Sequence, residues 1–78
     1  MNERDEFSVY QFFVNGSWER VREWVSAEEA VRAAQHYTCN VAAQKGLTQR
    51  VIITDGGDCV SFEWQYGKGV TYPEEIRK

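Results

Sequence analysis

Phe7-Ser8-Val9-Tyr10-Gln11-Phe12-Phe13-Val14 is apolar on both faces when its residues are taken alternately, as the period of a β-strand requires. One face carries Phe7, Val9 and Phe13, and the other Tyr10, Phe12 and Val14. A strand with one buried face alternates apolar with polar residues, so this one calls for cover on both sides. The rest of the sequence offers a single helix to supply it. The expectation is a strand in the middle of a sheet, with that helix on one face and a partner chain on the other.

Asn15-Gly16 follows directly, a pair that tolerates the positive φ of a type I′ turn and so signals a two-residue hairpin. The second strand then runs from about Ser17 to Val25, pairing Phe13 with Trp18, Gln11 with Arg20, Val9 with Arg22 and Phe7 with Trp24. Cross-strand partners share a face. One side therefore carries Phe7, Val9, Phe13, Trp18 and Trp24 with Gln11, Arg20 and Arg22; the other carries Tyr10, Phe12, Val14, Val21 and Val25 with Ser8, Glu19 and Glu23. The two sides are comparably apolar.

Ser26-Ala27-Glu28-Glu29 reads as a capping box, with Val25 and Ala30 in hydrophobic-staple positions. It predicts a helix from about Ala27 to Lys45, stopped by Gly46. At 100° per residue, Ala27, Ala30, Val31, Ala34, Tyr37, Thr38, Val41 and Ala42 form one stripe, and Glu28, Arg32, His36 and Ala43 lie opposite. The stripe is mostly alanine, so the helix can lie close to a sheet while large sheet residues fill the gap.

Residues 49–66 form a second hairpin around Gly56-Gly57. Val51, Ile53, Val60, Phe62, Trp64 and Tyr66 share one face, whereas Arg50, Ile52, Thr54, Cys59, Ser61, Glu63 and Gln65 share the other. This alternation is clean and marks the first set as facing the core. Gly67 to Pro73 leaves the sheet as a loop, because proline argues against a further central strand. Residues 7–14 and 51–54 are the most apolar strands and belong in the middle; the second strand, with four charges, suits an edge. The fold expected is α+β, a two-layer ββαββ domain over residues 7–73. Its four-stranded antiparallel sheet has the order 2-1-3-4, and one helix lies on one face. Residues 1–6 are expected as a disordered N-terminal tail and residues 74–78 as a frayed C-terminal one.

Seventy-eight residues make one small domain, in the size range where a single core leaves little stability in reserve. The net charge is −3; residues 1–6 hold three acids and one arginine, a net −2, and residues 74–78 sum to zero, leaving about −1 on the body. A basic field of the kind that drives phosphate-backbone binding is missing. No signal-peptide pattern opens the sequence, and no apolar run reaches membrane-spanning length. The two cysteines, Cys39 and Cys59, make no CxxC pair, and with His36 they fall short of a zinc site. A cytoplasmic protein without cofactor or membrane partner is expected.

Asp55-Gly56-Gly57-Asp58 gathers two carboxylates at a hairpin tip but lacks the six to eight oxygens calcium needs, so it reads as a turn. His36 and Cys39 stand three apart on the helix, off the apolar stripe and without a third orienting group, which makes them surface residues rather than a catalytic or metal pair. Trp18, Arg20, Arg22 and Trp24 form the sharper pattern. Aromatic and arginine side chains alternating on one face suit protein interfaces, and also single-stranded nucleic acids, which stack on such platforms.

Val51-Ile52-Ile53-Thr54-Asp55-Gly56-Gly57-Asp58-Cys59, continuing through Phe62-Glu63-Trp64 and Gly69-Val70-Thr71-Tyr72-Pro73, resembles small bacterial proteins of unknown function, notably from the rhizobial group. The resemblance implies a shared fold over most of residues 7–73, and no site residues. Function is expected to be binding without catalysis, as a homodimer through the open sheet face. Tyr10, Phe12, Val14 and Val21 are assigned to the helix side. Phe7, Val9, Phe13, Trp18, Arg20, Arg22, Trp24 and Ile52 then form the contact surface. Another protein partner is the next expectation, and single-stranded nucleic acid on the same face is the alternative.

Overall fold

The computed structural model describes residues 5–73, so expectations for residues 1–4 and 74–78 lie outside the described residues. The elements are β1 (Phe7–Phe13), β2 (Trp18–Val25), α1 (Ala27–Cys39), α2 (Val41–Gln44), β3 (Thr48–Thr54), β4 (Val60–Gln65) and β5 (Gly69–Tyr72). They build an α+β fold with one antiparallel sheet in the order β2-β1-β3-β4-β5. The sheet has five strands rather than four, which moves β4 from the edge to the interior. Only Val70, Thr71 and Tyr72 are strand formers in the last segment, so the sequence signal is short. Pro73 is accommodated because β5 is an edge strand that ends just before it.

The first hairpin turns through three residues, not two. Gly16 N–H donates to Phe13 O at 2.9 Å, Phe13 N–H donates to Ser17 O at 2.8 Å, and Gly16 takes φ +92°. Asn15 Oδ1 accepts from both Ser17 N–H (2.9 Å) and Ser17 Oγ (2.6 Å), which holds the tip. A turn followed by a left-handed glycine is the usual three-residue connection. The extra residue slides the register by one, giving Phe12–Trp18, Gln11–Glu19 and Tyr10–Arg20 pairs. Because side chains alternate with period two, a slip of one sets Trp18 and Arg20 beside Tyr10 and Phe12 instead of Val9 and Phe13.

The helix covers the other side, where Val9 is buried against Ala30, Ala33, Ala34, Val51 and Ile53, with Phe7, Val21, Val25, Tyr37, Phe62 and Trp64 packed around them. Tyr10 and Phe12 lie on the opposite face, beside Ile52 and Arg50 of β3. The assignment of Tyr10 and Phe12 to the helix side is thereby reversed. The second hairpin also pairs further along than a two-residue turn gives, with Val51–Trp64 and Ile53–Phe62. That slip is even, so Val51, Ile53, Phe62 and Trp64 face the core as the alternation predicts, but a bulge between Ile53 and Thr54 pairs Val60 with Thr54 on the open face and brings Ser61 to the helix side, reversing both.

Ser26 caps α1, its Oγ accepting from Glu29 N–H at 3.1 Å. Glu29 does not return to Ser26 but turns its carboxylate to Arg22, 3.7 Å away. The helix breaks at Asn40, six residues before Gly46, the expected stop. Asn40 adopts extended ψ and re-caps α2 through Oδ1, which accepts from Ala43 N–H at 2.9 Å. The buried helix residues are Ala30, Ala33, Ala34 and Ala43, while Val31 and Val41 are half or more exposed, so the buried stripe is rotated from the one expected.

Gly46 closes α2 at φ +82°, and a Cβ there meets the Tyr66 ring at 3.2 Å. Gly46→Ala is expected to destabilise the fold by about 1–2 kcal/mol, the cost of a left-handed L-residue. Urea denaturation will show it as a lowered midpoint at unchanged slope.

A helix is about 10 Å across and strands lie about 4.8 Å apart, so one helix covers roughly half of a five-stranded sheet. Helix α1 rests over β1 and β3. On its β4–β5 side an apolar gutter stays open, lined by Val31, Phe62, Trp64 and Val70. On its β2 side the gutter is polar, lined by Arg22, Glu29, Arg32, Ala33 and His36.

Candidate protein-binding face

The sheet face away from the helix is built by alternate residues of its strands. β1 contributes Tyr10 and Phe12, β2 contributes Trp18 and Arg20, β3 contributes Arg50, Ile52 and Thr54, and β4 contributes Glu63. Tyr10, Phe12, Trp18, Ile52 and Thr54 line a shallow apolar depression of about 210 Å³. The Tyr10 and Trp18 rings tilt against each other with centroids 5.8 Å apart, a favourable aromatic geometry. Ile52 forms the floor and is only 7% exposed, whereas Trp18 stands 57% exposed at the rim.

Two guanidinium groups frame this cluster, Arg20 over the Tyr10 ring at 5.6 Å and Arg50 over the Phe12 ring at 4.9 Å. Both are also paired to carboxylates. Arg20 Nη1 lies 2.7 Å from Glu23 Oε2, a contact between residues three apart that the bulged strand places on one face. Arg50 Nε donates to Glu63 Oε2, which also accepts from Gln65 Nε2 at 3.0 Å. The face is apolar at its centre, with each cation balanced by an anion.

The Arg50 hydrogen bond is the main reason the Glu63 carboxyl is held below the usual carboxylate range; partial burial opposes it, and Gln65 and Thr71 assist Arg50. A depressed folded-state pKa adds stability that is present above the ordinary glutamate range and is lost as the pH falls through the folded value. Glu63→Gln is therefore expected to melt below the parent chain at pH 7, with the difference closing on acidification. Melting curves recorded from neutral to strongly acidic pH check the sign.

Of the residues expected at the contact surface, Trp18, Arg20 and Ile52 meet on this face. Val9 is 0% exposed beneath the helix, Phe7 packs there too, and Phe13, paired with the buried Thr48, follows in the same row; the one-residue slip separates all three from Trp18 and Arg20. Arg22 lies on the helix side next to Glu29. Trp24 stands 58% exposed on the edge strand in a left-handed conformation, φ +55°, its N–H 3.5 Å from Ser8 Oγ. Tyr10, Phe12 and Arg50 are the members that the sequence reading missed; the length of the Val14-Asn15-Gly16 loop was the signal that the first two share a face with Trp18 and Arg20.

Elsewhere, Asp55 Oδ1 accepts from Gly57 N–H (2.9 Å) and Cys59 N–H (3.0 Å), the work of a turn residue. His36 packs edge-on to Tyr37, and Cys39 and Cys59 are exposed free thiols. Among the described residues no three His, Cys, Asp or Glu side chains are grouped to hold a metal, and no helix is long and apolar enough to cross a membrane. Comparison with protein-family models, with curated proteins and with solved structures finds no match for the chain.

Proposed function

We propose that the protein is a non-enzymatic interaction module that pairs with a second copy of itself through the open sheet face. The observation that supports this most is the aromatic cluster of Tyr10, Phe12 and Trp18 framed by arginines whose charges are already balanced. Such a face meets no like-charge repulsion from its own copy, and a two-fold interface brings the same patch from both sides. Two sheets stacking face to face at about 10 Å bury an apolar centre of this kind.

Size agrees. The molecule measures 38 × 34 × 19 Å, so its broad face can supply the roughly 800 Å² per partner of a standard interface. Pairing by sheet edges is disfavoured, because β2 is charged and twice irregular in register and β5 is four residues long. Nucleic-acid binding is the weaker reading, since Arg20 and Arg50 are both engaged with glutamates. Both cysteines are unpaired, which suits a reducing compartment, and on that ground we assign the protein to the cytoplasm.

Sedimentation velocity across the micromolar range tests the pairing. A concentration-dependent rise from monomer to dimer is expected. A monomer throughout, or salt-dependent quenching of tryptophan fluorescence by single-stranded oligonucleotides, overturns it.

A further inference from the structure

We infer that the gutter between β2 and α1 is a binding site for a phosphate-type oxyanion, held by Arg22, Arg32 and His36. It lies on the helix side of the sheet and is independent of the pairing face. The site begins with an irregular strand. After regular pairing from Trp18 to Arg20, the register of β2 against β1 shifts between Tyr10–Arg20 and Val9–Arg22, then again before Phe7–Val25. At the first shift Val21 is the extra residue, and it packs against the core while Arg22 also reaches the helix side. A bulge is a device for re-aiming a side chain, and here it turns Arg22 toward α1.

The second shift contains Trp24 at φ +55°. A bulky residue held in that region costs on the order of 1–3 kcal/mol, and such strain concentrates near functional sites. Arg22 is then fixed in place, with Nη1 donating to Val21 O at 2.7 Å and Nε 3.7 Å from Glu29 Oε2.

Opposite it, α1 presents Arg32 and His36, four residues apart and so one above the other on the same helix face. With Glu29 and Ala33 these residues line a depression of about 220 Å³. Two guanidinium groups and an imidazole thus face a single carboxylate, in a chain whose net charge is −3. Arg32 has no ion-pair partner among the described residues. Glu29 balances one of the two arginines, so the depression keeps a surplus of positive charge, and the planar fork of arginine matches tetrahedral oxyanions in two-point contacts. Inorganic phosphate and a phosphate monoester share this chemistry.

Titration of the isotope-labelled protein with inorganic phosphate, at constant ionic strength against chloride, tests the site by nuclear magnetic resonance. Saturable shifts confined to Arg22, Arg32 and His36 are expected. Arg32→Gln should weaken binding about tenfold, the order of one charge-assisted contact, while Lys68→Gln leaves it unchanged. A parallel titration with O-phosphoserine separates the sources: tighter binding assigns the site to a monoester, and equal binding assigns it to the free ion. Shifts spread over all basic residues without saturation, or the same affinity in Arg32→Gln, overturn the assignment.

Discussion

Trp18→Glu is expected to leave the protein folded and to abolish its pairing at concentrations where the parent chain is dimeric. Trp18 is 57% exposed at the rim of the open face, so the monomer loses little by its removal. In a two-fold interface the substitution acts twice, and it sets a carboxylate into the apolar centre formed by Tyr10, Phe12 and Ile52. Removing an aromatic anchor from such a centre costs about 2 kcal/mol or more, and the desolvated charge adds to it. The dimer dissociation constant should rise by about a hundredfold or more. Sedimentation reads the association, and melting curves recorded at concentrations where both chains are monomeric, differing by no more than about 1 kcal/mol, separate lost pairing from lost folding.

Ile53→Ala should remove about 3–4 kcal/mol, a large fraction of what a domain of this size holds. Ile53 is 5% exposed between Val9 and Phe62, under the helix. The helix residues packed in the same core are alanines, Ala30, Ala33 and Ala34, whose side chains have no length with which to fill the space left behind. The cavity therefore persists, which puts the cost toward the upper part of the usual range. Val31→Ala, at a half-exposed position on the same helix, is expected to cost under about 1 kcal/mol. Urea midpoints of the two variants compare them directly.

The α+β class, the antiparallel sheet and the relative order of its first four strands were legible in the residues. Strong local signals carried them: Ser26 as a cap, the alternation of Val51 to Trp64, and the apolar excess of Phe7 to Val14. The facing of β1 was not legible, because its two sides are comparably apolar and nothing in the residues chose between them; loop length decided only which β2 residues share each side. Asn15-Gly16 fits a two-residue turn as well as the end of a three-residue one, and the difference of one residue decides whether Val9 or Tyr10 shares a side with Trp18 and Arg20. The second hairpin escaped that fault from Val51 to Ile53 and from Phe62 to Trp64, where polar residues on one side mark the faces, but the bulge at Val60 and Ser61 left no such mark. Arg50 was missed because its role depends on Phe12 and Glu63, brought beside it by strand pairing. The break at Asn40 was overlooked because the alanine-rich stretch on either side favours a continuous helix.

The apolar gutter over β4 and β5 bears on how folding of this protein is followed. Val31 and Val70 stand half-exposed beside the partly buried Phe62 and Trp64 in the fully folded molecule, so a dye that brightens on greasy surfaces will find a seat on the native state. Dye fluorescence alone would then report a loosened, partly collapsed ensemble where none exists. Because Trp64 lines the same seat, its emission will shift with dye or detergent as well as with unfolding. Far-ultraviolet dichroism, which reads the backbone, is the signal that keeps these events apart.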